Sequence, residues 1–119
     1  MSYKQRKEKI EKKYKDIISD LKKGRCTKEE LSSKYDLDER TIRRIIQEIS
    51  CYFPVCSFSN TKGYYIPSVN ENTNTNEILE DLQHTLNEHL SRVNELKRKM
   101  KPLIATIKEM EKGNVNGTK

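Results

Sequence analysis

The chain has 119 residues, of which 33% are hydrophobic and 35% are charged, and 24 Lys and Arg against 18 Asp and Glu give a formal net charge of +6. That length suits one domain with an appendage, since domains commonly have about 100–150 residues, and it leaves little room for a large enzyme core. Because the sequence also has no nucleotide-binding glycine loop, nucleophile motif or catalytic carboxylate pair, we expect neither an enzyme nor a cofactor.

The first predicted helix carries the whole charge excess. Residues 1–25 hold ten Lys and Arg against four Asp and Glu, whereas the rest of the chain is balanced. Such a block is either a solvated helix face or an attachment to phosphate, and by itself it does not decide between them. Apolar residues recur within it at spacings of three and four, which predicts one helix from Lys4 to Lys23 with a buried stripe. Gly24 follows at the position of a left-handed helix cap.

Two shorter helices follow, separated by a tight turn. Thr27 and Glu30 fit a capping box at the start of the second helix, and Asp38 is a good N-cap for a third helix that runs to about Ser50. The third helix has an apolar stripe of four isoleucines, Ile42, Ile45, Ile46 and Ile49. The same spacing occurs two residues earlier in a polar set, Arg40, Arg43, Arg44 and Gln47. An offset of two residues is a rotation of about 200° around the helix axis. The apolar and the Arg/Gln faces are therefore predicted to be nearly opposite.

A β-hairpin and a linker complete the first half of the chain. Pro54 ends any helical continuation, and Val55–Ser59 and Tyr64–Ile66 are β-prone runs on either side of a turn sequence. After Pro67 the segment 68–76 is polar and rich in Asn and Thr, so we place a linker there. Residues 1–67 are expected to form one domain.

The second half of the chain carries a heptad pattern. Ten positions from Leu79 to Met110 alternate by three and four, and nine of them are apolar, which predicts a coiled-coil helix over residues 77–112. His89 is the exception, and we expect it to be a partly exposed histidine at a permissive layer. Pro102 predicts a kink near Lys101, and residues 113–119 are expected to be a disordered tail.

A single heptad helix cannot bury its seam alone, so it either pairs with the same helix of a second chain or folds back on its own N-terminal domain. We favour a homodimer, although Leu90 and Ile104 beside the seam widen the apolar strip and leave trimers or tetramers open. The predicted dimerisation residues are Leu79, Leu82, Leu86, Val93, Leu96, Met100, Leu103 and Ile107.

Hydropathy and cysteine count indicate the compartment. No apolar run approaches the roughly 18 residues of a membrane span, and the basic N-terminus lacks the apolar stretch of a signal peptide. The chain has three cysteines, Cys26, Cys51 and Cys56, and this odd number favours reduced thiols over a set of disulfides. We expect Cys51 and Cys56 to lie in the core beside the hairpin. The pairs Cys51-x4-Cys56 and His84-x4-His89 are separated by 27 residues, which is too long a gap for a usual zinc finger. No metal site is therefore expected. These features predict a cytoplasmic protein without a membrane partner.

The order of three helices and a hairpin is that of a winged helix-turn-helix, and the motifs are similar to one family of them. The stretch TKEELSSKYDLDERTIRRIIQEI, followed by FPVCSFSNTKGYYI, resembles the winged helix at the start of DeoR-type, biotin-repressor-type and WYL-domain bacterial regulators. Departures from that pattern are Ser32 for the usual Ala, Asp36 for a common Gly, Asp38 for the usual Ser cap and Ile45 for the usual Asp. The resemblance covers about residues 5–67 and implies a mainly α fold with a β-hairpin wing, followed here by the coiled-coil helix.

The resemblance implies a role for each exposed group. The third helix would enter the major groove, where Arg bonds guanine and Gln bonds adenine, and a carboxylate accepts from cytosine. The base-reading candidates are Glu39, Arg40, Arg43, Arg44 and Gln47. The candidates for contact with the DNA backbone are Thr27, Lys28, Thr41, Asn60, Thr61 and Lys62.

The function expected from these features is sequence-specific binding of double-stranded DNA by a small dimeric transcriptional regulator. Two-fold symmetry would then predict an inverted-repeat site. One alternative is a DNA-binding organiser of replication or packaging in a phage or mobile element. Another is a winged helix that binds protein while the coiled coil serves as a scaffold.

Overall fold

A computed structural model of the chain describes residues 1–57, 63–68 and 75–115. Within these ranges it contains five helices and one antiparallel two-stranded sheet. The elements are α1 (Tyr3–Lys13), α2 (Lys15–Lys23), α3 (Lys28–Tyr35), α4 (Glu39–Ser50), β1 (Cys56–Ser57), β2 (Tyr64–Tyr65) and α5 (Thr75–Val115). The prediction of a mainly α chain with a hairpin and a long C-terminal helix is confirmed.

The chain divides into two compact units, Met1–Thr85 and Leu86–Lys119. The first unit holds the four short helices, the hairpin and the start of α5. The second unit consists of the remainder of α5 and the residues that follow it. Residues 113–115, expected in a tail, are still helical, and α5 runs through Pro102 without a restart.

The basic N-terminal segment forms two helices rather than the single helix that its periodicity predicts. Tyr14 separates α1 from α2 because its backbone angles, φ −118° and ψ 32°, are not helical. The main-chain bonds on either side persist, from Tyr14 N to Ile10 O and from Ile18 N to Tyr14 O, both at 2.9 Å. The Tyr14 ring is buried, and its hydroxyl donates to Glu48 Oε2 at 2.7 Å. The break therefore coincides with an anchor between this segment and α4.

The left-handed residue of the helical region is Asp36, not Gly24 as the sequence suggested. Gly24 has φ 170°, which is extended backbone, while Asp36 ends α3 with φ 51° and ψ 49°. Aspartate tolerates this conformation better than most residues. The next residue is tied back to α3, since Leu37 N donates to Ser32 O at 3.1 Å and the Ser32 hydroxyl donates to Leu37 O. These bonds fix the turn between α3 and α4.

The core of the first unit is apolar and is built mainly by α2 and α4. Its buried side chains are Tyr14, Ile17, Ile18, Leu21, Leu31, Ile42, Ile45, Ile46, Ile49, Phe53, Val55 and Ile66. Cys56 is fully buried beside β2, and burial raises the pKa of its thiol. Cys51 is exposed, which corrects the expectation that both cysteines line the core. It lies at the end of α4, where its thiol donates to Gln47 O and not to the core.

The hairpin gains a third partner that its sequence did not suggest. Cys56 pairs with Tyr65 and Ser57 with Tyr64, while Tyr64 also forms an antiparallel bridge with Cys26, between α2 and α3. Two main-chain bonds between Cys26 and Tyr64, at 2.8 and 2.9 Å, make this bridge. β2 is therefore the middle of three short segments, which ties the hairpin to the helices.

The start of α5 docks on the hairpin through a polar contact. Thr85 is only 7% exposed, and its hydroxyl oxygen accepts from Ser57 N at 3.3 Å and donates to Asp81 O at 3.0 Å. One turn earlier, Asp81 accepts from the Tyr65 hydroxyl. The docking face follows helical spacing, since Ile78 and Leu82 are also partly buried.

Candidate nucleic-acid interface

The helix α4 has two faces of opposite character. Its four isoleucines are at most 5% exposed, whereas the side chains of Arg40, Arg43, Arg44 and Gln47, here called the arginine face, are exposed. Asp38 starts the helix because its carboxylate accepts from Thr41 N at 2.6 Å. Hydrogen bonding from Thr41, by side chain and backbone, lowers the pKa of Asp38, because these bonds favour the charged form of the cap.

The members of the arginine face differ in how they are held. Arg44 lies 3.5 Å from Glu48 Oε1, and the other Glu48 oxygen accepts from the Tyr14 hydroxyl. Arg40 and Arg43 have no ion pair among the residues that the structure describes. Since an exposed pair such as Arg44–Glu48 contributes little, all three guanidinium groups are available to an external acceptor.

Two of the predicted backbone-contact residues lie beside the first turn of α4. Lys28 Nζ is 3.7 Å from Glu39 Oε1, which brings the N-terminus of α3 next to the start of α4. Thr27 caps α3 through a reciprocal bond with Glu30, its oxygen accepting from Glu30 N at 3.0 Å. Thr41 is half-buried on the first turn of α4. The Lys28–Glu39 pair therefore sets the N-terminus of α3 beside the first turn of α4, which also carries Arg40.

The predicted wing-tip contacts, Asn60, Thr61 and Lys62, lie outside the described residues. The hairpin that carries them is anchored at Gly63, whose φ of 121° is in the left-handed half of backbone space. A β-carbon at this position would lie 2.7 Å from Arg25 Cγ and 3.1 Å from Cys26 O. Glycine is thus required where the hairpin meets the segment between α2 and α3.

The basic residues of α1 lie near the opposite end of α4. The Tyr3 ring contacts the Tyr52 ring with centroids 5.4 Å apart, and Lys7 Nζ lies 5.0 Å from the Phe53 centroid. Both aromatic residues follow the C-terminus of α4. Cationic groups therefore lie near both ends of α4, Lys28 at its start and Lys7 beside the core residue Phe53 that follows its end.

A polar cluster that sequence reasoning missed joins α2 to α3. Asp20 accepts from the Tyr35 hydroxyl at 2.5 Å and from Lys34 Nζ at 2.9 Å. The Tyr35 bond and the Lys34 charge lower the pKa of Asp20, while burial and the same bond raise the pKa of Tyr35. Nothing in the local pattern indicates this cluster, because its members are 14 and 15 residues apart. It holds α3 in the position from which Lys28 reaches α4.

The predicted dimerisation residues lie along α5 and are mostly exposed. Leu82 is the one that is partly buried, on the docking face for the hairpin. In the second unit Leu96 is 57% exposed and Leu103 is 64% exposed. Within the described part of this unit, no apolar side chain of the seam is covered by another element. In addition, none of the helices described is long and apolar enough to cross a bilayer.

Comparison with known proteins returned nothing that resembles this chain: no protein-family model matches it, and neither a curated protein nor a solved structure does. The case for a function therefore depends on the residues and their geometry.

Proposed function

We propose that this protein is a sequence-specific double-stranded DNA-binding protein, acting as a small dimeric transcriptional regulator through a winged helix-turn-helix. The observation that carries the proposal is the arginine face of α4. It is exposed, lies opposite a buried isoleucine stripe, and follows α3 after a turn of only three residues. An α-helix with Arg and Gln on its outer face has both the width and the donors to read the major groove.

Affinity and sequence choice are divided between different elements in this proposal. From Asp38 to Ile49 three Arg balance Asp38, Glu39 and Glu48, so the reading helix is neutral overall. Residues 1–25 carry the net charge and would supply contacts to phosphate, which favour any duplex. Lys28 would position the first turn of α4 against the DNA backbone. Its exposed ion pair with Glu39 is weak enough to break when Lys28 contacts a phosphate.

Dimerisation through α5 completes the proposal. The exposed seam of apolar residues needs a cover, and a second copy would provide an identical seam. Two reading helices related by a two-fold axis would then recognise an inverted repeat.

The proposal is tested by selecting duplexes from a random library and measuring binding of the selected site and of unrelated DNA. Arg43→Ala and Arg44→Ala are each expected to weaken the selected site by about 1–3 kcal/mol and to relax its sequence preference, because a bidentate contact to guanine is lost. Lys108→Ala, which removes an exposed cation from α5, is the matched control.

Two results would contradict the proposal. Equal loss on all sequences would assign Arg43 and Arg44 to phosphate rather than bases. An affinity for duplex DNA without a steep dependence on salt would show that phosphate is not contacted, and would favour a protein partner for the arginine face.

A further inference from the structure

Charge is segregated along the helix α5. From Thr75 to Leu90 the helix contains four acidic residues and no Lys or Arg, whereas residues 91–101 contain five basic residues and one acidic residue. The acidic residues of the first stretch are Glu77, Glu80, Asp81 and Glu88. The basic residues of the second are Arg92, Lys97, Arg98, Lys99 and Lys101. The remainder of the helix is balanced, so α5 has an acidic stretch followed directly by a basic one.

The exposed seam runs through both stretches. Its apolar side chains from Leu86 to Met110 are at least 44% exposed, and they continue the spacing of Leu79 and Leu82. A seam of this kind is covered when a second heptad helix packs its knobs into the holes of the first. The following inference therefore builds on the homodimer proposed above and concerns how the two helices run.

Parallel pairing would bring like charges together. In a parallel pair each residue lies level with its own copy, so the acidic stretch faces the acidic stretch and the basic stretch faces the basic one. In a parallel pair, the residue just before one seam position also faces the residue just after the following seam position on the other helix. Arg92, which precedes Val93, therefore faces Lys97 of the second copy, which follows Leu96, and the same contact forms on the other side of the pair. The axes of two packed helices lie about 8–10 Å apart, which is roughly one Debye length, so this repulsion is only partly screened.

We propose that α5 pairs with α5 of a second copy in the antiparallel direction, about a two-fold axis near Ser91. In this register the acidic stretch of each helix lies level with the basic stretch of the other, and Asp81 comes level with Lys101 of the second copy. The acidic and basic stretches are then opposite each other at both ends of the pair, and only Arg92, next to the axis, lies near its own copy.

The same register keeps the seam in layers. Leu79 falls level with Leu103 of the second copy, Leu82 with Met100, and Leu86 with Leu96. His89 falls level with Val93 and no longer faces a second His89, as it would in a parallel pair. Every seam residue from Leu79 to Leu103 thus has a partner at its own level, with Leu82 already partly buried on the docking face for the hairpin. The paired length ends just beyond Pro102.

Distances between spin labels test the orientation in the full-length protein. Ser91→Cys and Ala105→Cys, on the outer side of α5, are each labelled after Cys26→Ser and Cys51→Ser remove the two accessible thiols. Cys56 is kept, because it is fully buried and its thiol pKa is raised. At a rise of about 1.5 Å per residue, antiparallel pairing places the two labels at position 105 about 40 Å apart, while parallel pairing places them about 20 Å apart.

The label at position 91 separates failure of the orientation from failure of the dimer. Both orientations place the two labels at position 91 about 20 Å apart. A short distance at 91 and a long one at 105 is the expected result. Short distances at both positions would overturn the antiparallel pairing and leave the dimer standing. If the labels at position 91 gave no dipolar coupling and the protein sedimented as a monomer, both the dimer and the antiparallel pairing would be overturned.

Discussion

Gly63 is a position where one backbone conformation decides whether the hairpin can form. Its φ is 121°, and an added β-carbon would meet Arg25 Cγ at 2.7 Å and Cys26 O at 3.1 Å. Gly63→Ala is therefore expected to destabilise the fold by about 1–3 kcal/mol, measured by urea denaturation.

The chain offers a matched control in its other glycine beside this segment. Gly24 is extended, and no heavy atom lies within 4 Å of a β-carbon built there. Gly24→Ala should leave stability unchanged or raise it by up to about 1 kcal/mol, through the reduced freedom of the unfolded chain. Equal losses for both variants would show that the conformation of Gly63 is not the cause.

At this scale the sequence identifies the right residue types more readily than their conformations. Thr27 and Asp38 could be assigned as helix caps because a cap depends on residues three positions away, and both form the expected bonds. The left-handed residue could not be assigned from the sequence. A glycine such as Gly24 permits that conformation but does not require it, and Gly24 is in fact extended. Asp36 adopts it because Ser32 ties the following residue to α3.

Among the elements, α5 is attached to the hairpin by two polar contacts, Tyr65–Asp81 and the buried hydroxyl of Thr85 with Ser57. Thr85→Val keeps the side-chain shape but removes the acceptor for Ser57 N and the donor to Asp81 O. Because the partly buried backbone N–H of Ser57 then loses a partner, we expect a loss of about 1–3 kcal/mol in the free energy of unfolding.

The matched control lies on the same helix. The Thr106 hydroxyl also donates to the carbonyl four residues earlier, at 2.9 Å, but Thr106 is exposed. Thr106→Val should change stability by less than about 0.5 kcal/mol. If both substitutions proved neutral, the Thr85 contact would have no role in holding α5.

The elements themselves follow from periodicity, but their contacts with one another do not. The two faces of α4 were predictable because a two-residue offset fixes their angle. The docking of α5 on the hairpin was not predictable. A heptad pattern is recognised from its apolar residues, whereas the face of α5 that docks includes the polar residues Asp81 and Thr85. In the candidate site the pairs Lys28–Glu39 and Tyr14–Glu48 likewise join residues that no local pattern relates.

For the molecule as a whole, the seam of α5 predicts self-association. Leu96→Asp places a charge in the middle of the seam and should convert dimers to monomers in sedimentation, because burying an unpaired carboxylate is costly. Leu96 is 57% exposed in the single chain, so the variant should keep its helical circular dichroism.

Asn94→Asp adds the same charge two residues away, off the seam, and should leave the dimer intact. A Leu96→Asp protein that still sediments as a dimer would show that the seam is not the contact between copies.

The bridge between Cys26 and Tyr64 has a consequence for the order in which the chain folds. It joins residues 38 positions apart, whereas the contacts of α3 with α2 and with α4, such as Asp20–Tyr35 and Lys28–Glu39, close much shorter loops. Loop closure costs entropy before the contact is gained, so the short loops are expected to close first. The helices that present the arginine face would then be assembled before the hairpin closes over Cys26, and the bridge would be among the last contacts formed.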